Sequence, residues 1–120
     1  MGNRILIYDD DRDILLVTTA ILEMKGYEIL CREHCRNLNE DLTNFQPQVI
    51  LMDNWLPDMG GVKAIQYIKS QDAFKNIMVI FFSANSNMET LSKEAGADGL
   101  LKKPFDITEL EQMIEKSVKA

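Results

Sequence analysis

The residues of this chain that could do chemistry fall in four places: Asp9-Asp10-Asp11, Asp53, Ser83 and Lys103. Each follows a short apolar run: Ile5-Leu6-Ile7-Tyr8, Val49-Ile50-Leu51-Met52, Ile77 to Phe82, and Gly99-Leu100-Leu101. Carboxylates brought within ~4 to 6 Å of one another repel and raise each other's pKa, which is tolerable when a cation sits among them. Hard oxygen ligands with room left for water suit magnesium. A carboxylate nucleophile, a hydroxyl and an ammonium beside such a cation make a phosphoryl-transfer set. In it Asp53 attacks in line, magnesium and Lys103 neutralise the oxygens of the transferred group, and Ser83 donates a hydrogen bond. Taken singly these residues have ordinary explanations. An Asp after a strand is commonly a helix cap or turn residue, and that account suffices for Asp11 and Asp13. The arrival of the others at successive strand ends is what makes the set specific.

Those positions converge only if the runs are parallel strands of one sheet, and the intervening segments read as the helices that would connect them. Arg12 to Lys25 carries Ile14, Val17, Ile21 and Leu22 at helical spacing, with Gly26 as its C′ stop. Tyr27 to Cys31 is a more mixed strand, suited to a sheet edge. Leu38, Leu42 and Phe45 mark a second helix, closed by Pro47. Gly60-Gly61 opens a third with Val62, Ile65 and Ile68 inward. Ser86-x-x-Glu89 reads as a capping box for a fourth helix bearing Met88, Leu91 and Ala95, and Asp106-x-x-Glu109 as one for a fifth with Ile107, Leu110, Ile114 and Val118. Five such βα units predict an α/β fold: a five-stranded parallel sheet, doubly wound with helices on both faces and right-handed crossovers. In such sheets ligands collect at the carboxyl ends of the strands, where all four groups lie.

Composition narrows the classes. At 120 residues the chain makes one domain that buries roughly two-thirds of its unfolded surface, without need of a disulfide or structural metal. No segment approaches the ~20 apolar residues that span a bilayer, and the N-terminal run is too short for a signal peptide; the expected location is cytoplasmic. Met1-Gly2 resembles a myristoylation start, but Leu6 stands where that motif takes Ser or Thr. A net charge of -6 argues against direct contact with nucleic acid or anionic lipid. Cys31, His34 and Cys35 are three soft ligands in five residues, yet tetrahedral zinc needs a fourth and the chain has no other His or Cys. Reduced thiols are the expectation. Trp55 and Leu56 read equally as a surface loop or as part of a partner-binding patch.

At this point the chain resembles the receiver domain of two-component response regulators over its whole length, 1–120. The resemblance rests on Ile5-Leu6-Ile7-Tyr8-Asp9-Asp10-Asp11, on Val49-Ile50-Leu51-Met52-Asp53 with Leu56-Pro57-Asp58-Met59-Gly60-Gly61, on Phe82-Ser83-Ala84, on Gly96-Ala97-Asp98-Gly99 and on Lys103-Pro104-Phe105. It implies a flavodoxin-like sheet of order 2-1-3-4-5, and a phosphorylation-dependent switch in which Asp53 takes a phosphoryl group from a histidine kinase's phosphohistidine or from a small phosphodonor. Such a domain is no enzyme in the usual sense; it catalyses its own phosphorylation and dephosphorylation. By position, Asp10, Asp53 and the backbone carbonyl of Trp55 would ligate magnesium directly and Asp9 through water. Ser83 and Lys103 would hold the phosphoryl oxygens, and the Lys103-Pro104 bond would be cis. Implied partners are a histidine kinase or phosphotransfer protein, a downstream effector protein or domain, and a second copy docked through the fourth helix, fifth strand and fifth helix. The chain would be a stand-alone receiver or a piece of a longer regulator or hybrid kinase.

Three positions depart from the family or bear on its timing. Leu100 stands where the family usually has a switching Tyr or Phe, so coupling is expected through the loop after Ser83 and the fourth helix. Trp55 and Asn85 flank the route of attacking water, and the bulk of Trp55 is expected to slow hydrolysis. Three other classes compete. A haloacid dehalogenase-type phosphatase carries a second Asp two positions after the first, where this chain has Trp55. A small flavodoxin has a Thr, Ser and Gly-rich phosphate loop after its first strand, where three aspartates would repel flavin phosphate. A pseudo-receiver lacks site residues that are all present here.

Overall fold

A computed structural model describes residues 3–54, 56, 59–84 and 86–119. Strands β1 (Arg4–Tyr8), β2 (Glu28–Arg32), β3 (Val49–Asp53), β4 (Met78–Ser83) and β5 (Gly99–Lys102) alternate with helices α1 (Arg12–Met24), α2 (Leu38–Phe45), α3 (Gly61–Ser70), α4 (Met88–Ala95) and α5 (Ile107–Val118). All strand pairs are parallel, in the order β2-β1-β3-β4-β5. This is the five-stranded flavodoxin-like sheet with five helices that the strand pattern and the resemblance predict. Among the described residues no helix is long and apolar enough to cross a membrane.

The two-residue strand period divides the core. Leu6, Tyr8, Ile50, Met52 and Phe81 face one side and pack with Leu38 and Leu42 of α2 and Ile65 and Ile68 of α3. Ile5, Ile7, Leu51, Ile80 and Phe82 face the other and pack with Leu15 and Leu22 of α1 and Leu110 and Ile114 of α5. Because both faces are covered, β3 is buried at every position, whereas β2, at the edge, is only half-buried, as its mixed sequence implies.

The ends of α1 and the start of α5 follow local chemistry. The Asp11 carboxylate accepts from the backbone N–H of Asp13 and Ile14 (2.9 and 3.3 Å), which makes it the N-cap of α1. Lys25 is the C-cap of α1, and Gly26 beyond it is in the left-handed region (φ +90°). Asp106 and Glu109 form the reciprocal capping box of α5. The box expected from Ser86 and Glu89 is absent: α4 begins at Met88 with Asn87 as its cap residue. Ser86 therefore sits one residue before the cap, and the position three beyond Asn87 is Thr90, which cannot reach back as Glu would. Glu89 still lies in the first turn of α4, where its charge favours the helix dipole. The remaining differences in element bounds are one-residue shifts: β2, β4 and β5 each extend one residue further along than their apolar runs. Ser83 is thus the last residue of a strand. On the helix faces, Val17 and Ile107, placed on the apolar stripes by their spacing, are exposed.

The start of α3 lies against the backbone of the Asp53 strand. The Gly61 N–H donates to the Asn54 carbonyl (3.1 Å), and a Cβ on Gly61 would lie 2.2 Å from the Asp53 carbonyl oxygen. Only glycine allows this approach. Gly61→Ala is expected to cost about 1–3 kcal/mol through overpacking, read as a lower urea midpoint with unchanged slope.

Candidate functional site

The carboxyl ends of β1, β3, β4 and β5 deliver their polar residues to one edge of the sheet. Ligand-capable oxygens of Asp9, Asp10 and Asp53 all lie within 4.8 Å of one another. Asp9 and Asp53 are buried and Asp10 is exposed, so the cluster is a pocket with one acidic lip open to water. Lys103 reaches in from the end of β5. Its ammonium donates to Asp9 Oδ2 at 2.6 Å and to Asp53 Oδ1 at 3.0 Å. The other Asp9 oxygen accepts from the Asp11 N–H (2.9 Å), and the Asp9 N–H donates to the Arg32 carbonyl (3.1 Å), which fixes the turn that presents Asp9 and Asp10. Ser83 is fully buried at the end of β4, and its carbonyl accepts from the Lys103 N–H (2.9 Å). The Lys103–Pro104 peptide is cis, as the resemblance implies. The structure therefore brings Asp9, Asp10, Asp53, Ser83 and Lys103 to one edge; Trp55 and Asn85 lie outside the described residues.

One ammonium among three carboxylates leaves two negative charges in excess. Burial, followed by the charges of Asp9 and Asp10, raises the Asp53 carboxyl from 3.8 to about 6, against the opposing pull of Lys103. Burial acts to lower the Lys103 ammonium, but its bonds to Asp9 and Asp53 more than reverse that, so Lys103 is held firmly protonated. Oxygen-only donors, a twofold charge deficit and an open lip are the properties that a hard divalent cation satisfies and a thiolate-seeking metal does not. Cys31, His34 and Cys35 form no such group among the described residues. Cys31 bonds Thr19, Cys35 packs on the Met52 sulfur, and His34 Nδ1 accepts from the Arg36 N–H.

Sequence reasoning missed one buried polar group beside the site. The Tyr8 hydroxyl donates to Asp41 Oδ2 (2.8 Å) and Arg32 Nε donates to Asp41 Oδ1 (3.2 Å), joining β1, α2 and β2 where the acidic turn begins. Burial, and then the Asp41 carboxylate, raises the Tyr8 phenol and keeps it protonated. The signal was present: Asp41 falls on the inward stripe with Leu38, Leu42 and Phe45, and a tyrosine ending a buried strand needs a partner.

The fold and the acidic edge define a class of flavodoxin-like α/β domain with a carboxylate cluster at the carboxyl ends of its strands. The chain belongs to the response regulator receiver domain family, whose model matches residues 5–115. It is 34% identical over 121 residues to the DNA-binding transcriptional regulator NtrC of Proteus hauseri, covering 98% of this chain and 24% of that protein. It is 30% identical over 118 residues to sporulation initiation phosphotransferase F of Bacillus subtilis strain 168, covering 97% of this chain and 94% of that one. The chain thus spans about a quarter of one relative and nearly all of another. Among solved structures, it superposes with a TM-score of 0.91 on the receiver domain of sensor histidine kinase PA1611 from Pseudomonas aeruginosa PAO1, at 24% identity and 100% coverage of both chains. That protein has a magnesium ion coordinated in its active site cleft.

The raised Asp53 pKa has a definite sign for stability. Its contribution is fully present below the unfolded value near 3.8 and is lost as pH rises through about 6. In metal-free protein at pH 8, Asp53→Asn is therefore expected to stabilise the fold, by up to about 3 kcal/mol. The gain should vanish near pH 4, as read from paired denaturant titrations in chelator.

Proposed function

We propose that this chain is a phosphoacceptor switch of a two-component system or phosphorelay, with residues 1–120 acting as one receiver domain. An Asp53 oxygen attacks the phosphorus of a phosphohistidine or small acyl phosphate. The bond from phosphorus to the donor breaks, the donor leaves with its electron pair, and Asp53 is left as an acyl phosphate. Asp10, Asp53 and the Trp55 carbonyl would hold magnesium, with Asp9 contributing through water. Bound there, the ion supplies neutralisation of charge on the phosphoryl oxygens. Lys103, which bridges Asp9 and Asp53 before transfer, exchanges its bond to Asp53 for one to a phosphoryl oxygen, and Ser83 donates its hydroxyl to another.

The charge deficit of the pocket carries this reading. Three carboxylates against one ammonium, two of them buried, is an arrangement a fold alone does not require; a divalent cation relieves it and leaves the site able to take on the added negative charge of a phosphoryl group. The ion in the Pseudomonas receiver domain supports the same assignment. A histidine kinase or phosphotransfer protein as donor, and a cytoplasmic location, belong to this proposal. The output would pass through the α4-β5-α5 face to an effector protein, an attached domain or a second copy. On that face Met88, Leu100, Leu101 and Met113 line a groove of about 440 Å³. With Leu100 in place of an aromatic side chain, the signal would travel by the loop after Ser83 and by α4.

Acetyl phosphate with magnesium is expected to phosphorylate the protein, with incorporation abolished by Asp53→Asn and slowed about tenfold or more by Lys103→Ala. Label persisting in Asp53→Asn refutes the assignment. Because Trp55 is the sole tryptophan, titration with magnesium and then beryllofluoride should change its emission and raise the Tm. Flat responses to both would count against the metal site.

A further inference from the structure

We propose that Phe82 is a positioning residue for Lys103, its ring face carrying the ammonium between Asp53 and the incoming phosphoryl oxygens; this rests on the phosphoacceptor reading. The Lys103 ammonium lies 4.5 Å from the centroid of the Phe82 ring. Two of its three donors are taken by Asp9 and Asp53 at 2.6 and 3.0 Å, and the side chain is 17% exposed. The ring covers a direction from which water would otherwise solvate the ammonium. A π face attracts a cation without a directional hydrogen bond. The ammonium can therefore shift from the Asp53 oxygen to an oxygen on the phosphoryl group while keeping the attraction, which a fixed carbonyl or hydroxyl partner would resist.

The ring is itself held in place. Phe82 is fully buried, its Cα is paired across the sheet with Asp53 on one side and Leu101 on the other, and its ring meets Phe105 at a centroid distance of 5.4 Å and a tilt of 51°. Phe82 and Phe105 lie next in sequence to Ser83 and Pro104, so both are carried by the segments that carry the site. A core-filling role would be served as well by leucine or methionine. What only an aromatic ring supplies is the negative face under the ammonium.

A series of mono-, di- and trifluorinated phenylalanines at position 82 separates the two roles, since it keeps size and burial nearly constant while withdrawing charge from the ring face. At saturating magnesium, the rate of phosphorylation by acetyl phosphate is expected to fall stepwise, with its logarithm linear in fluorine number and a total loss of about three- to thirty-fold; the magnesium Kd should stay unchanged. A rate insensitive to fluorination overturns the proposal. A second readout needs neither metal nor phosphate. In the wild-type protein the Lys103 ε-methylene protons should be shifted upfield by the ring current, and the shift should disappear in Phe82→Leu; unshifted wild-type protons also overturn it. Because this readout is independent of phosphorylation, it distinguishes failure of the ring contact from failure of Asp53 as the acceptor.

Discussion

Mutual repulsion of Asp9, Asp10 and Asp53 is the constraint around which the molecule is arranged. Left in water, three carboxylates would keep apart; here the sheet forces their oxygens within 4.8 Å and removes two of them from solvent. The chain meets this cost with a single ammonium, which leaves the site short of positive charge, and burial, joined by the charges of Asp9 and Asp10, pushes Asp53 to about 6. This tension persists because the surrounding fold over-determines the geometry. The buried length of β3 and the anchored turn after β1 both serve to hold it.

The architecture explains why so few residues suffice. In a parallel sheet all carboxyl ends point the same way, so side chains far apart in sequence meet without long loops. Lys103 and Asp9 are brought within 2.6 Å although nearly the whole chain lies between them. The apolar residues of β1, β3 and β4 act as the frame. Their alternation commits one set to α1 and α5 and the other to α2 and α3, and so leaves only the strand ends available for polar groups.

Much of this was legible in the residues. Short continuous apolar runs interleaved with 3.6-period segments specified the sheet and its five helices, and strand-end position specified which polar side chains would meet. What was not legible depended on where elements begin. The capping box expected at Ser86 and Glu89 had the right letters but the wrong frame, because α4 starts at Met88 and leaves Ser86 outside the cap. The buried Tyr8–Asp41–Arg32 group was missed for a different reason. A carboxylate on an inward helical stripe reads as an error in the pattern until a hydroxyl and a guanidinium from two other elements are seen to satisfy it. The contact between Lys103 and Phe82 was hidden for a similar reason, since an aromatic residue in an apolar run reads only as core.

The hydrogen bond from the Lys103 backbone to the Ser83 carbonyl, 2.9 Å long, has a mechanical consequence. Ser83 and Lys103, at the ends of β4 and β5, are stitched together through their main chains. That bond joins the end of the strand that precedes α4 to the segment that leads through Pro104 to α5. The spacing of Ser83 and Lys103 is thereby set by the backbone, independently of how either side chain is disposed.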